Sequence, residues 1–195
     1  MSKKIISSTN SSRARLGSAI SKAKKRKNPP KPLQNIDHHL EVVSVYIDGA
    51  CEGNHQKNAS LRRGGYGIWF GDGDERNFGA RLPGVPTNNR AELCALLGLF
   101  KFLKEKQPNY NRYFYKIYTD SEYTCNVVSG VDSWEKKGWK NASNKTPGNM
   151  DLIRELHTEK PHFNFHMIRV PGHAGVPGNE GADALARQGC YLEAE

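Results

Sequence analysis

Four acidic residues stand where a chain of this pattern could do metal chemistry. Asp120 closes the apolar run Lys116-Ile117-Tyr118-Thr119 and is followed at once by Ser121, a residue that starts helices. It therefore falls at the carboxyl end of a strand, where open α/β sheets place their ligands. Alone, such an Asp reads as a helix cap. The same arrangement occurs earlier, in Val45-Tyr46-Ile47-Asp48-Gly49. Glu92 and Asp183 each lie near the start of a helical pattern. Either one, taken singly, reads as a helix residue favoured by the positive end of the dipole. Two acidic strand ends and two acidic helix starts together read as the parts of a metal site.

The elements that must position these acids follow from periodicity. Val43, Val45 and Ile47 alternate with Ser44 and Tyr46, as in a strand. Cys51 to Arg63 reads as a polar loop. Gly65 to Phe70 and Asn77 to Leu82 are two further strands, joined at the turn signal Gly71-Asp72-Gly73-Asp74. A helix begins at about Thr87 and buries Leu93, Leu96, Leu97, Phe100 and Leu103 before Pro108 stops it. Phe114 to Thr119 is the fourth strand, and Ser121 to Val128 a short helix. Asp132 to Lys140 is a basic, aromatic segment. A helix from Asn149 through Leu156, a strand from Phe163 to Val170 and a helix from Asn179 to Arg187 complete the domain. The order βββ-α-β-α-α-β-α predicts an α/β fold, a five-stranded mixed sheet with helices on both faces.

Charge separates the chain into two parts. Ten of its 29 Lys and Arg residues fall in positions 1–36, which contain no acid; the remainder holds 19 basic against 20 acidic residues. Residues 1–39 are expected to be a disordered basic tail and 40–195 the folded domain. Lys24-Lys25-Arg26-Lys27 is a compact run of the nuclear-localisation type, so the nucleus is the expected compartment; an organelle transit peptide, hence the mitochondrion, is the alternative. No apolar run is long enough to cross a membrane. The four cysteines, Cys51, Cys94, Cys125 and Cys190, form no CxxC pair and read as thiols of a reducing compartment.

From Glu41 to Tyr191 the sequence resembles the type 1 ribonuclease H family. The resemblance rests on Tyr46-Ile47-Asp48-Gly49-Ala50-Cys51-Glu52-Gly53-Asn54, Thr87-Asn88-Asn89-Arg90-Ala91-Glu92-Leu93 and Tyr118-Thr119-Asp120-Ser121-Glu122-Tyr123. It continues in Trp134-Glu135-Lys136-Lys137-Gly138-Trp139-Lys140 and in the stretch from Val170 through His173 to Asp183. It implies a ribonuclease H-like fold and hydrolysis of the RNA strand of RNA/DNA hybrids, leaving 5′-phosphate and 3′-hydroxyl ends. A non-catalytic hybrid-binding module is the alternative.

By this resemblance Asp48, Glu92, Asp120 and Asp183 are the catalytic, metal-holding acids. Asp48 bridges two ions, Glu92 and Asp120 bind one, and Asp183 binds the other. Hard carboxylate oxygens suit Mg²⁺, with Mn²⁺ a possible substitute. Two such ions activate a water and neutralise the leaving oxygen. His173, flanked by Gly172 and Gly175, is assigned proton transfer or product release. Asn54, Asn88 and Asn89 match contacts to RNA 2′-hydroxyls and base edges. Tyr123 and Trp134 match aromatics of the DNA-strand channel, and Trp139 is expected to pack on the core. Thr87 and Asn149 match a phosphate pocket in which Val85 replaces an Arg of some members. Gly130 stands where some members carry a second channel Trp. Residues 1–36 lack the aromatics of the hybrid-binding domain that eukaryotic members often carry at the N-terminus. The expected partner is an RNA/DNA hybrid, bound by a monomer with no protein partner implied.

Overall fold

The computed structural model describes residues 40–140 and 143–193. The expected disordered tail lies outside them. The described residues form one compact unit.

Five strands form one sheet in the order β3-β2-β1-β4-β5. They are β1 (Glu41–Glu52), β2 (Arg63–Trp69), β3 (Phe78–Arg81), β4 (Tyr113–Thr119) and β5 (Asn164–Arg169). β1 pairs antiparallel with β2 and parallel with β4; β2–β3 is antiparallel and β4–β5 parallel. The sheet is mixed, as expected, and its elements follow the predicted order along the chain. Four α-helices join it among the described residues: α1 (Asn88–Lys106), α2 (Glu122–Lys136), α3 (Met150–Glu159) and α4 (Pro177–Gly189).

Which face each helix covers can be read from the glycines. Successive strand residues point to opposite faces. A Cβ at Gly49 would meet the α1 backbone at Glu92 N, whereas one at Gly67, the partner of Asp48, would meet Ala182 O of α4. So α1 and α4 cover opposite faces. Gly65, Gly67 and Gly79 together leave the trough into which the α4 backbone settles. On the α1 face, Leu93, Leu96, Leu99, Phe100 and Leu103 are buried with Val45 and Ile47 of β1. The helix is buried on more than one side because Leu152, Ile153 and Leu156 of α3 join the same core. Phe100 stacks on Phe163 at 4.1 Å between ring centroids.

Two expected boundaries are corrected. β1 runs through Cys51 and Glu52, which pair with Gly64 and Arg63, so the polar loop is shorter than its composition predicts. The antiparallel ladder satisfies backbone groups whatever the side chains are. α2 extends to Lys136 rather than ending at Val128. Gly130 does not stop it: the Trp134 ring, one turn on, lies over that glycine, where a Cβ would come within 2.8 Å of the indole. Val127, Val128 and Val131 supply the buried stripe.

Candidate active site

Thr119-Asp120-Ser121 is a locked strand-to-helix turn. The Ser121 amide donates to Thr119 Oγ1 at 3.1 Å, and Ser121 Oγ accepts from the Thr124 amide at 3.1 Å. Ser121, not Asp120, caps α2. The carboxylate of Asp120 is therefore left for other work.

Asp48 stands two strands' pairing from the edge, in the middle of the sheet, and is 6% exposed. Its Oδ1 accepts from the Gly49 amide at 2.8 Å. Gly49 lets the first turns of α1 lie against β1, which carries Glu92 to Asp48. α1 begins at Thr87, whose Oγ1 accepts from the Arg90 amide at 3.2 Å. Asp48, Glu92 and Asp120 each offer a carboxylate oxygen, and these atoms lie within 4.8 Å of one another.

Three acids this close strain the protein electrostatically. Burial, and then the neighbouring Asp120 charge, push the Asp48 carboxyl up to about 7. Burial, and then Asp48, hold the Glu92 carboxyl well above the usual range. Glu92 Oε2 is sealed from solvent with no hydrogen-bond partner. A hard divalent cation would satisfy that oxygen and reverse the repulsion, so the donor set fits such an ion.

Asp183 is brought to the same cavity, of about 350 Å³, but not into the tight trio. It lies in the second turn of α4 and takes Arg187 Nε on both oxygens, at 3.0 and 2.9 Å. His173 also lines the cavity, on an exposed loop in a left-handed conformation (φ 51°). Asn88 lines it too, and its amide donates to Asn54 Oδ1 at 3.4 Å, which draws the β1–β2 loop to the start of α1. Asn89 is exposed on the first turn of α1.

Thr87 and Asn149 open α1 and α3, and the two helix starts are tied by Arg90, whose guanidinium grips Asp151 at 3.1 and 2.6 Å. Asn149, at φ 57°, turns its amide to Tyr123 Oη at 3.1 Å. Trp134 is half-buried over Gly130 and packs on the core. Trp139 also packs there, edge-on to His157 at 5.5 Å and under Arg154 at 5.3 Å.

Sequence reasoning missed two residues of this site. Arg187 is the cation one turn beyond Asp183. Asn179 is buried, and its Nδ2 donates to Asp120 Oδ2 at 3.1 Å. Its only sequence signal is its place one turn before Asp183. A larger groove, about 760 Å³, runs between α2 and β5 past Val128, Phe165 and Met167. It is mostly apolar and takes in none of the four acids.

A model of the RNase H family matches residues 40–191. Ribonuclease H1 of Mus musculus is 38% identical over 150 residues, covering 76% of this chain and 50% of that one. Ribonuclease H1 of Homo sapiens is 36% identical over 162 residues, covering 83% and 54%. The chain thus spans about half the length of these mammalian relatives. Ribonuclease H of Polynucleobacter asymbioticus is 36% identical over 152 residues, covering 77% of this chain and 90% of its own. Among solved structures, LC9-RNase H1, described as a type 1 RNase H with the type 2 active-site motif, superposes with a TM-score of 0.62. It is 26% identical and covers 77% of this chain and 72% of its own. LC11-RNase H1, solved in complex with an RNA/DNA hybrid, shares the fold at a TM-score of 0.51 and 19% identity, covering 76% and 96%. A family match that spans the whole sheet and all four helices places this chain in the type 1 RNase H family.

Proposed function

We propose that this chain is an endonuclease that hydrolyses the RNA strand of RNA/DNA hybrids, with Mg²⁺ as its metal and Mn²⁺ as a substitute. The observation that carries the reading is the trio Asp48, Glu92 and Asp120, with ligand oxygens within 4.8 Å. Family membership supports it, because a cluster this costly to fold is hard to account for as structure alone. Divalent ions held there would activate a water and neutralise the leaving oxygen.

The chain's own residues do the rest. Asp48, at the centre, would contribute to both metal positions, Glu92 and Asp120 to one and Asp183 to the other. His173, on its exposed loop at the cavity, is placed to move a proton or ease product out. Asn54 and Asn88, joined at the start of α1, and Asn89 beside them present amides to 2′-hydroxyls and base edges. Such hydroxyls are what separate RNA from DNA. Thr87 and Asn149, at two tied helix starts, suit a DNA-strand phosphate, with Tyr123 and Trp134 contributing aromatic surface. The basic residues 1–36 would add salt-dependent, nonspecific affinity and direct the protein to the nucleus; the protein acts as a monomer.

Cleavage of an end-labelled RNA strand tests this. The strand is offered in hybrid, in duplex RNA and alone, with Mg²⁺ or chelator, to the wild type and to Asp120→Asn. Metal-dependent cutting of the hybrid only, ending in 5′-phosphate and lost in the variant, is expected. Tight hybrid binding without cutting under any metal would instead identify a binding module.

A further inference from the structure

Asn179 sits in the first turn of α4 and is 3% exposed. Amide and acid side chains in a helix's first turn commonly turn back to cap their own backbone. Here no side chain caps α4 at all. Asn179 Nδ2 reaches across to β4 and donates to Asp120 Oδ2 at 3.1 Å, while its Oδ1 is buried with no partner. Half of a buried amide is thus left unsatisfied, an arrangement that makes sense only for the donor end. The opposite amide orientation would set Oδ1 against a carboxylate oxygen.

The surroundings restrict Asp120 further. A Cβ at position 172 would come within 2.7 Å of Asp120 Oδ2, so Gly172 walls the same oxygen that Asn179 holds. Fixing Oδ2 fixes the carboxylate that offers an oxygen to the cluster with Asp48 and Glu92. Asn179 and Asp183 are one turn apart on α4, so a single helix face carries the fourth acid and the group that orients the third. A carboxylate at 179 would add another negative charge to the cluster. A shorter hydroxyl would not span the gap.

We propose that Asn179 is a positioning residue: it fixes the Asp120 carboxylate in the orientation that receives a divalent metal ion, and so couples the seating of α4 to metal affinity. The inference rests on the metal-site reading above, not on the identity of the nucleic acid. Ligand-orienting hydrogen bonds of this kind change metal affinity by about tenfold to a hundredfold when removed.

Mn²⁺ binding by calorimetry, on the full chain without nucleic acid, tests the inference with Asn179→Leu and Asn179→Ala. Leu keeps the branched shape and removes both the donor and the orphaned acceptor; Ala serves if Leu does not fold. Melting in chelator confirms the fold of each. The expected result is a folded variant whose Mn²⁺ affinity is about tenfold or more weaker. Hybrid KM should be unchanged, and cleavage lost at limiting Mg²⁺ should recover at high Mg²⁺. Folded variants that bind Mn²⁺ within about twofold of wild type would overturn the inference. A wild type that binds Mn²⁺ yet cuts no hybrid would overturn only the substrate reading; one that binds no metal overturns both.

Discussion

The Cβ that Gly49 lacks would lie 2.2 Å from the backbone nitrogen of Glu92. Two neighbouring positions therefore do linked jobs: Asp48 supplies a carboxylate, and Gly49 supplies the space that lets α1 bring a second one to it. Gly49→Ala should push α1 off the sheet. The expected cost is about 3 kcal/mol in denaturant unfolding, with cleavage falling further than the unfolded fraction explains. Wild-type activity in a folded Gly49→Ala protein would show that the close approach is not needed.

Glu92→Gln separates stability from chemistry. It removes a charge that burial and Asp48 disfavour and keeps the side chain's shape. In chelator the variant should be more stable than wild type. Its cleavage should fall by about a hundredfold or more, since metal-borne stabilisation is worth several kcal/mol. A melting curve and a rate at saturating hybrid check the two halves separately.

The metal-free protein should lose stability as pH rises. Asp48 titrates near 7 in the fold against 3.8 as its reference. Between those values the native state binds more protons than the unfolded chain, so unfolding free energy falls as pH increases through the window. The expected loss from pH 4 to pH 8 in chelator is on the order of 3 kcal/mol from this site. Saturating Mg²⁺ should abolish or reverse the slope, because the cation favours the ionised form. Chemical denaturation at several pH values, with and without Mg²⁺, gives the comparison. A stability that rises with pH in chelator would contradict the clustered geometry.

Arg90→Lys should not behave as a conservative change. The guanidinium makes two bonds to Asp151 and a third, at 3.2 Å, to the Pro83 carbonyl. It also holds the Asp151 carboxyl below the usual carboxylate range. An ammonium cannot reproduce that fork. Asp151 is more than half exposed, so the stability cost is modest, about 1 kcal/mol. The larger effect should be on hybrid KM, which rises as the starts of α1 and α3 lose their tie, with turnover little changed. Steady-state kinetics on one hybrid would show an unchanged KM if that tie has no part in binding.

The sheet was legible because its signals are local. Alternation in Val43 to Ile47, the Gly71 to Asp74 turn and the apolar spacing of Leu93 to Leu103 each name an element without help from the rest. Asp48 and Asp120 were legible because both close such elements. Other features depend on partners distant in sequence. β1 continues through Cys51 and Glu52 only because β2 lies alongside to pair with them. α2 continues past Gly130 because Trp134 folds back over it. Asn179 reads as an ordinary helix-start amide until the fold puts Asp120, 59 positions earlier, beside its Nδ2. That Asp183 is engaged by Arg187 rather than drawn into the trio is likewise a matter of side-chain placement, which spacing does not reveal.

α4 seats itself in a trough that three glycines leave on the sheet, and it is the last of the described helices. All five strands precede this helix in sequence, so a partly folded domain can hold the sheet without it. Until it docks, that domain lacks its fourth acid and the amide that steadies its third. The metal site proposed above is thus incomplete until α4 has docked. The proposed catalysis would become available only when long-range packing is complete, so its onset would report the end of folding, not its progress.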